Sequence, residues 1–446
     1  MPPSDTAPAL PPALTAAARN GTHDCDVLIV GGGPAGLSLA VSLAQAGFTA
    51  TVVERQPEAA LAAPAPDGRE IALTHPSADT LRRLGSWQRL LPHEFGRIHA
   101  AQVHDGPVGG APPLRLQTES AHGPGHLGWI VPNHALRRTA HAVAAATPGV
   151  RLLTGRQVAR VAVTADAAEL ECLSADGTQG DGAGETGGGA RSTHPLRLRA
   201  PLLVAADSRF SATRRQLGIG ASSTDFGRTV IVCRMQHAQA GDGTAHECFG
   251  YERTLAILPL PPDPDTGALL CSVVVTTRTH DAAALLALPP AEFAAQVQAQ
   301  FGGRLGTMRL VDERHAYPLV AVWAHRFSGH RCALLGDAAV GMHPVTAHGY
   351  NLGLAGVERL TDALVQARRA GRDLGDADLL QRHYARPHHR HAWPLYEGTN
   401  AIVRLYTDDR ALPRLLRRAV LQGARRLAPL QAAIVGQLMG TAPQAG

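Results

Sequence analysis

The chain contains no lysine: every one of its 42 basic residues is arginine. Chemistry that needs an amine side chain is thereby excluded, both Schiff-base catalysis and the Walker-type phosphate loop with its lysine. Aromatic residues are scarce at 4%, and a net charge of +5 is modest for 446 residues. A nucleic-acid binder would concentrate positive charge among exposed aromatics, so that class is not indicated. The six cysteines, Cys25, Cys172, Cys233, Cys248, Cys271 and Cys332, include no Cys-x-x-Cys pair. Neither a zinc site nor a redox dithiol is expected, and the thiols read as buried and reduced in a cytoplasmic protein. Residues 1–23 are rich in Ala and Pro, with no basic start and apolar run. They read as a disordered tail rather than a signal peptide. No charge falls between Val27 and Val53, a run long enough to cross a bilayer. The cluster Gly31, Gly32, Gly33, Pro34 and Gly36 within it argues instead for strand, turn, helix and strand.

What is present is a large apolar complement, 45% of the chain, enough for two or three structural units. Cys25–Gly31 is a short apolar run ending in glycines, as expected of a strand buried on both faces. Leu37, Ala40, Val41 and Ala44 follow at helical spacing, closed by Gly47. Residues 48–54 form a second apolar strand, which completes a βαβ unit. Helices are expected over 76–95, 133–146, 351–369 and within 377–440. An antiparallel ribbon is expected from the alternation in 151–173, resuming at Leu196, with 174–194 as an enlarged loop. Buried strands are expected at Leu202–Ala206 and Arg331–Leu335, and strands of a second sheet at 229–235, 254–260 and 269–277. The α/β elements that carry nucleotide-binding features are thus interleaved with a separate sheet.

Three motifs follow from this layout. Gly31-x-Gly33-x-x-Gly36 stands between a strand and a helix. Its early glycines permit a tight turn and close approach of a pyrophosphate, Gly36 permits close helix–strand packing, and the helix N-terminus faces the phosphates. Glu54 ends the second strand, where a carboxylate can accept hydrogen bonds from ribose hydroxyls. Ala206-Asp207-Ser208-Arg209-Phe210-Ser211-Ala212-Thr213-Arg214 and Gly336-Asp337-Ala338-Ala339, the latter followed by His343-Pro344 and Gly349-Tyr350-Asn351-Leu352, each put an Asp at the carboxyl end of a buried strand. Ligands bind at that edge in open α/β sheets.

With these motifs, and with Arg69-Glu70-Ile71-Ala72-Leu73 and Trp129-Ile130-Val131-Pro132-Asn133, the chain resembles the class A flavoprotein monooxygenases, relatives of p-hydroxybenzoate hydroxylase. Within them it is most similar to the ubiquinone-biosynthesis hydroxylases, the UbiH, UbiF and UbiM group. The resemblance implies an α/β Rossmann-type FAD domain (24–75, 131–207 and 330–379) interleaved with a β-sheet substrate domain (76–130 and 208–329), followed by C-terminal helices (380–446). It implies bound FAD, NAD(P)H as transient co-substrate, O2, and hydroxylation of a polyprenylated phenol through a flavin hydroperoxide. Gly31, Gly33, Gly36, Glu54, Arg55, Arg69, Asn133, Asp207, Asp337, Gly349, Asn351 and Leu352 would contact the cofactor. Asp337 would serve the ribityl chain, and the N–H groups of 349–352 the pyrimidine end of the flavin. No side chain is required as a catalyst; His343, Pro344, His348 and Gly349 would lie nearest the flavin. Ser208 stands where the family usually has Gly, and a positive φ there would strain it.

Phe249, Leu255, Ile257, Pro259 and Leu260 are candidates for the roof of a dry site, with core packing the bland role for each. His383, His388, His389 and His391 lack partners at metal-ligand spacing and read as a solvated helical segment, so no metal is expected. Residues 380–446 carry ten Arg against Glu397, Asp408 and Asp409. Arg414, Arg418 and Arg425 share one helical face, which would suit an anionic membrane surface. The expected location is cytoplasmic, with peripheral contact on the inner face of the membrane and a ubiquinone-biosynthesis complex as a candidate partner. Two alternatives stay open: a flavin monooxygenase of the same fold acting on a soluble aromatic, and a non-catalytic FAD-loaded scaffold subunit. A prenyl reductase would also use this fold. A flavin halogenase, which relies on a lysine, is disfavoured.

Overall fold

The computed structural model describes residues 23–106, 108–109, 112–118, 125–175, 195–250, 253–342, 348–407, 420, 422–424 and 426–440. Its centre is a six-stranded sheet built on Val27–Val30. This strand pairs in parallel with Leu202–Ala205 on one side and Ala50–Val53 on the other. Val150–Leu153 extends the sheet in parallel at one edge; Cys332–Leu334 and the short Ser328–Gly329 complete the other. Each face of the central strands meets a different layer. Val27, Ile29, Val52, Leu202 and Val204 point to the helices Pro34–Gln45 and His348–Arg369. Leu28, Val30, Val53 and Leu203 point to Leu170, Cys172 and Leu198 of a three-stranded ribbon. Burial on both faces is why these strands read as unbroken apolar runs rather than alternating ones.

The ribbon comprises Arg156–Val163, Ala168–Ser174 and Leu196–Ala200. It therefore starts later than the alternation suggested: Val150–Leu153 belongs to the parallel sheet as its edge strand. A half-buried edge strand and a ribbon strand share the same period of two, so the pattern alone does not separate them. The ribbon's outer face carries the cross-strand ion pairs Arg197–Glu171 and Arg199–Glu169.

A nine-stranded sheet lies over the carboxyl edge of the nucleotide-type sheet as a roof. Its main strands are Ala221–His237, Thr254–Pro259, Leu270–Arg278 and His315–Ala324. Ile231, Cys233, Leu255, Ile257, Val273 and Val275 form its outer face, closed by Phe293 and Val297 of the helix Pro290–Gln300. Val230, Val232 and Val274 form the inner face with Leu319 and Tyr317.

A small sheet of Glu70–Leu73, Gly128–Pro132 and Gly96–Ile98 joins the two layers. The helix expected over 76–95 is shorter, His75–Leu84. It stops at Gly85, whose φ of 90° closes the helix, and two single turns follow. The helix expected over 133–146 spans Asn133–Ala146. Toward the C-terminus, the helix Arg386–Thr407 packs on the nucleotide-type core through Ala392 and Tyr396. The helix Ala428–Met439 lays Val435 and Met439 against Ile98, Leu127, Ile130, Leu258 and Leu260. Among the described residues, no helix is long and apolar enough to cross a membrane.

Candidate cofactor and active site

The three glycines of the first motif have three different surroundings. Gly31 has φ 114°, and a Cβ there would collide with the carbonyl oxygen of Ala206. A Cβ on Gly36 would collide with the carbonyl oxygen of Gly31. At Gly33 a Cβ would meet nothing within 4 Å. Gly31 and Gly36 thus serve the close packing of turn, helix and neighbouring strand, while Gly33 faces open space. Gly33 is also the N-cap of Pro34–Gln45 and supplies no side-chain bond to the helix N-terminus. That end therefore keeps its N–H groups and its positive dipole free of a side-chain cap, which suits an anion. Glu54 accepts from the N–H of Gly32 at 2.6 Å and from that of Gln56 at 2.8 Å, so its carboxylate also holds the loop in shape. Arg55, beside it, is exposed.

The other two motifs meet the first. The backbone at Ala206 and Asp207 lies directly against Gly31. Asp207 Oδ2 accepts from the N–H and the hydroxyl of Thr213 at 3.3 and 3.2 Å, while its Oδ1 is buried with no partner among the described residues. Ser208 is not strained, because Arg331 is the only described residue other than glycine with positive φ. The turn Gly336–Ala338 places Gly336 against Ala35 in the first turn of the glycine-loop helix, and Gly353 touches both. Asp337 pairs with Arg209 Nη2 at 3.1 Å and keeps 42% of its side chain exposed. Arg209 also donates to Val320 O of the roof at 2.9 Å, so it ties both strand-end motifs to the second sheet. Sequence reading gave Arg209 no role. Arg214 is buried and donates to the carbonyls of Arg209 and Ala338.

Arg69 and Asn133 converge on a residue that sequence reading missed. Asp67 Oδ2 accepts from Arg69 Nε at 3.0 Å, from Arg69 Nη2 at 2.5 Å and from Asn133 Nδ2 at 2.7 Å. Tyr317 of the roof donates to the Asp67 carbonyl at 2.8 Å. Burial pushes the Asp67 carboxyl up, but the hydrogen bond and charge of Arg69, with the bond from Asn133, outweigh it and hold the group below the usual carboxylate range. The only local signal was the Asp67-Gly68 pair, a turn signature. A depressed carboxylate contributes stability that is present above its unfolded value, near 4, and is lost as pH falls through its folded value. Asp67→Asn is therefore expected to cost about 1–2 kcal/mol at pH 7 and less below pH 4, as read by urea unfolding at the two pH values.

Asn351 is a second stitch. Its Oδ1 accepts from Thr74 N at 3.0 Å and its Nδ2 donates to Ala72 O at 2.9 Å, which fixes the strand Glu70–Leu73 to the first turn of His348–Arg369. Gly349 in that turn faces open space, and Leu352 is buried in the core. His343 and Pro344 lie outside the described residues, and of His348 only its place as first helix residue is described.

Of the roof candidates, Ile257, Pro259 and Leu260 line a cavity of about 580 Å³ together with Phe95, Leu270 and His246. Phe249 and Leu255 do not; they are packed in the roof. The histidine cluster does not converge. His388 is fully buried, stacked on Tyr384 and next to Arg359 Nη1, and burial pushes it down to about 3. His383 and His389 are exposed. The segment is thus a packed helix face at His388 rather than a wholly solvated one. Arg414, Arg418 and Arg425 lie outside the described residues.

An open glycine loop at a helix N-terminus, an orphaned Asp207 oxygen at a strand end and an open Gly349 in a second helix's first turn fit a dinucleotide laid across the sheet edge. Comparison with known proteins agrees. Over 416 residues the chain is 42% identical to the ubiquinone hydroxylase UbiM of Neisseria meningitidis, covering 93% of this chain and 84% of that one. It is 36% identical to the ubiquinone hydroxylase UbiL of Rhodospirillum rubrum, covering 93% and 90%. The crystal structure of p-nitrophenol 4-monooxygenase PnpA from Pseudomonas putida shares the fold, with a TM-score of 0.70 at 17% identity over 93% of this chain and 98% of that one. Residues 24–397 match the FAD binding domain family, and the chain belongs to the FAD-binding monooxygenases.

Proposed function

We propose that this chain hydroxylates a polyprenylated phenol in ubiquinone biosynthesis, with NAD(P)H and O2 as co-substrates. The observation that carries this reading is the 42% identity to a ubiquinone hydroxylase, sustained over 93% of the chain rather than confined to the nucleotide-binding part. FAD supplies the redox chemistry, taking hydride from NAD(P)H and activating O2. The protein supplies position and dryness. In this reading the backbone of Gly31–Gly36 takes the pyrophosphate, and Glu54 and Arg55 attend the adenosine end. Asp207 and Asp337 accept from the hydroxyls of the cofactor. Arg69 and Asn133 stand along it, held by Asp67. The first turn of His348–Arg369, including Gly349, Asn351 and Leu352, offers N–H groups to the pyrimidine edge, where negative charge grows on reduction.

A prenylated substrate resides in lipid, and the C-terminal region suits contact with it. Leu427 and Leu430 are exposed at the start of Ala428–Met439, next to exposed Arg426. Residues 380–446 are strongly basic, as contact with an anionic inner membrane face requires. The enzyme would then work in the cytoplasm, peripherally on that face, in reach of other enzymes of the same biosynthetic complex.

The test is mass spectrometry of quinone lipids from a strain lacking the gene. Accumulation of a prenylated intermediate short of one ring hydroxyl is the expected result, reversed by the wild-type gene and not by Asp337→Ala. An unchanged quinone pool, in a strain without a redundant hydroxylase, would refute the assignment and direct the search to soluble aromatics. Full rescue by Asp337→Ala would favour a scaffold role.

A further inference from the structure

On the inner face of the roof, a charged side chain stands in line with Val230 and Val232. Arg234, two residues past Val232 and four past Val230, points to the same inner side of its strand and stands opposite Ser272, which in turn stands opposite Leu258. Ser272 is fully buried, and its hydroxyl has no partner among the described residues. From below, Glu70 rises from the small sheet and offers one oxygen to Arg234, accepting from Nε at 2.9 Å and from Nη2 at 2.7 Å. The Glu70 side chain is 1% exposed, and its second oxygen, Oε2, has no partner among the described residues. Ala72, two residues on and therefore on the same side of the strand, packs with Leu258, Leu260 and Ile130. The carbonyl of Ala72 is also the one that Asn351 clamps to the helix N-terminus assigned to the flavin. A carboxylate oxygen and a hydroxyl left unbonded in an apolar interface are costly unless something with complementary polar atoms enters.

We propose that Glu70, Arg234 and Ser272 receive the oxygen-bearing edge of the substrate ring, with Glu70 Oε2 as the base that takes the phenolic proton. The inference rests on the phenol-hydroxylase reading above. In the step, the phenolic O–H bond breaks, its proton joins Oε2, and its electron pair stays on the ring oxygen. Arg234 faces the phenolate that results, which makes the ring the stronger nucleophile. The proton returns to the ring oxygen of the product, so the carboxylate is restored at each turnover. Ser272 donates a hydrogen bond to the same ring oxygen. Burial pushes the Glu70 carboxyl up to about 7, with Arg234 opposing and Asp67 and Asp312 adding to it. His134, itself lowered by burial, and Asp312, 4.0 Å from Arg234 Nε, are the other titrating groups described beside Arg234. A base in this range is half-ionised near neutral pH, the condition for efficient proton transfer.

The experiment uses the FAD-loaded enzyme and two probes, a phenol with an ortho chain of two isoprene units and the same phenol without the chain. Glu70→Gln is expected to lower kcat about 100-fold, with KM and FAD content little changed. It should also remove the rise in rate through about pH 7, and Glu70→Asp should restore part of both. Ser272→Ala removes an unbonded hydroxyl, so it should leave the melting temperature unchanged or higher while raising KM about tenfold. On the oxidised wild type, the ultraviolet difference spectrum of bound probe should show phenolate, and on Glu70→Gln phenol. Equal phenolate on both, or a Glu70→Gln rate and pH profile within twofold of wild type, overturns the proposal. Turnover of the chain-free phenol alone overturns the prenylated-substrate reading, and Glu70 is then judged by the same comparison on that phenol. Turnover of neither probe overturns both.

Discussion

Gly36→Val is expected to yield a protein that purifies without flavin and unfolds at much lower denaturant concentration. A Cβ at this position collides with the carbonyl oxygen of Gly31 and lies 3.4 Å from Ala206 Cβ. The first is backbone, so the collision is relieved only by moving helix Pro34–Gln45 away from the central strand. Overpacking of this kind costs about 1–3 kcal/mol or more, and it also spoils the turn that places Gly33. Gly33→Ala separates the two consequences. Its Cβ would meet no protein atom within 4 Å, so the melting temperature of the apoprotein should not change. FAD affinity should nonetheless fall at least tenfold, because the methyl group occupies the space open to a pyrophosphate. Flavin absorbance per protein and apoprotein melting curves read the two effects separately. Unchanged FAD affinity in Gly33→Ala would show that the loop is not where the cofactor's phosphates lie.

Arg331→Ala is expected to be the most destabilising single change away from the cofactor, by about 3 kcal/mol. Arg331 holds φ 53°, which an L-residue adopts at a cost of about 1–2 kcal/mol. The cost is offset by its guanidinium, buried at 7% exposure and bonded to Ala165 O at 2.7 Å, Pro201 O at 3.1 Å and the Asp373 carboxylate at 2.5 and 3.1 Å. These bonds gather the ribbon's turn, the entry to strand Leu202–Ala205 and the loop after helix His348–Arg369 around one side chain. Removing it leaves carbonyls unpaired and keeps the strained backbone. Arg331→Gly loses the same bonds but not the backbone preference, and it should recover about 1 kcal/mol relative to the alanine variant. Urea midpoints at constant slope check both values. Equal stability of the two variants would mean that the backbone strain is not real.

The parts legible in the sequence were those whose signal is local. Val27–Val30 and Leu202–Ala205 announce themselves because both faces of the strand are buried, and any apolar side chain serves on either. The glycine spacing is readable because a turn, a close approach and a helix contact each forbid a side chain at a fixed offset. The aspartates follow because strand ends are marked by where the apolar runs stop. Other features depend on what lies opposite, and no local pattern carries that. Residues 151–153 alternate like the ribbon that follows them, yet they edge the parallel sheet, since both environments leave one face half-open. His388 sits in a polar-looking stretch, yet it is buried because Tyr384 and Arg359 meet it there.

The strongest example is the floor of the roof. Asp67 gathers Arg69 and Asn133, and Glu70 meets Arg234 from a strand 164 positions away. These pairings exist only once the small sheet and the large one have closed on each other. The sequence by itself determined the cofactor class and the layered α/β core, because short-range periodicity and glycine sterics dictate them. Only the tertiary structure decided which charged groups are buried together at the site. Burying a charge is costly until a distant partner compensates it, and the chain declares that partner only by folding.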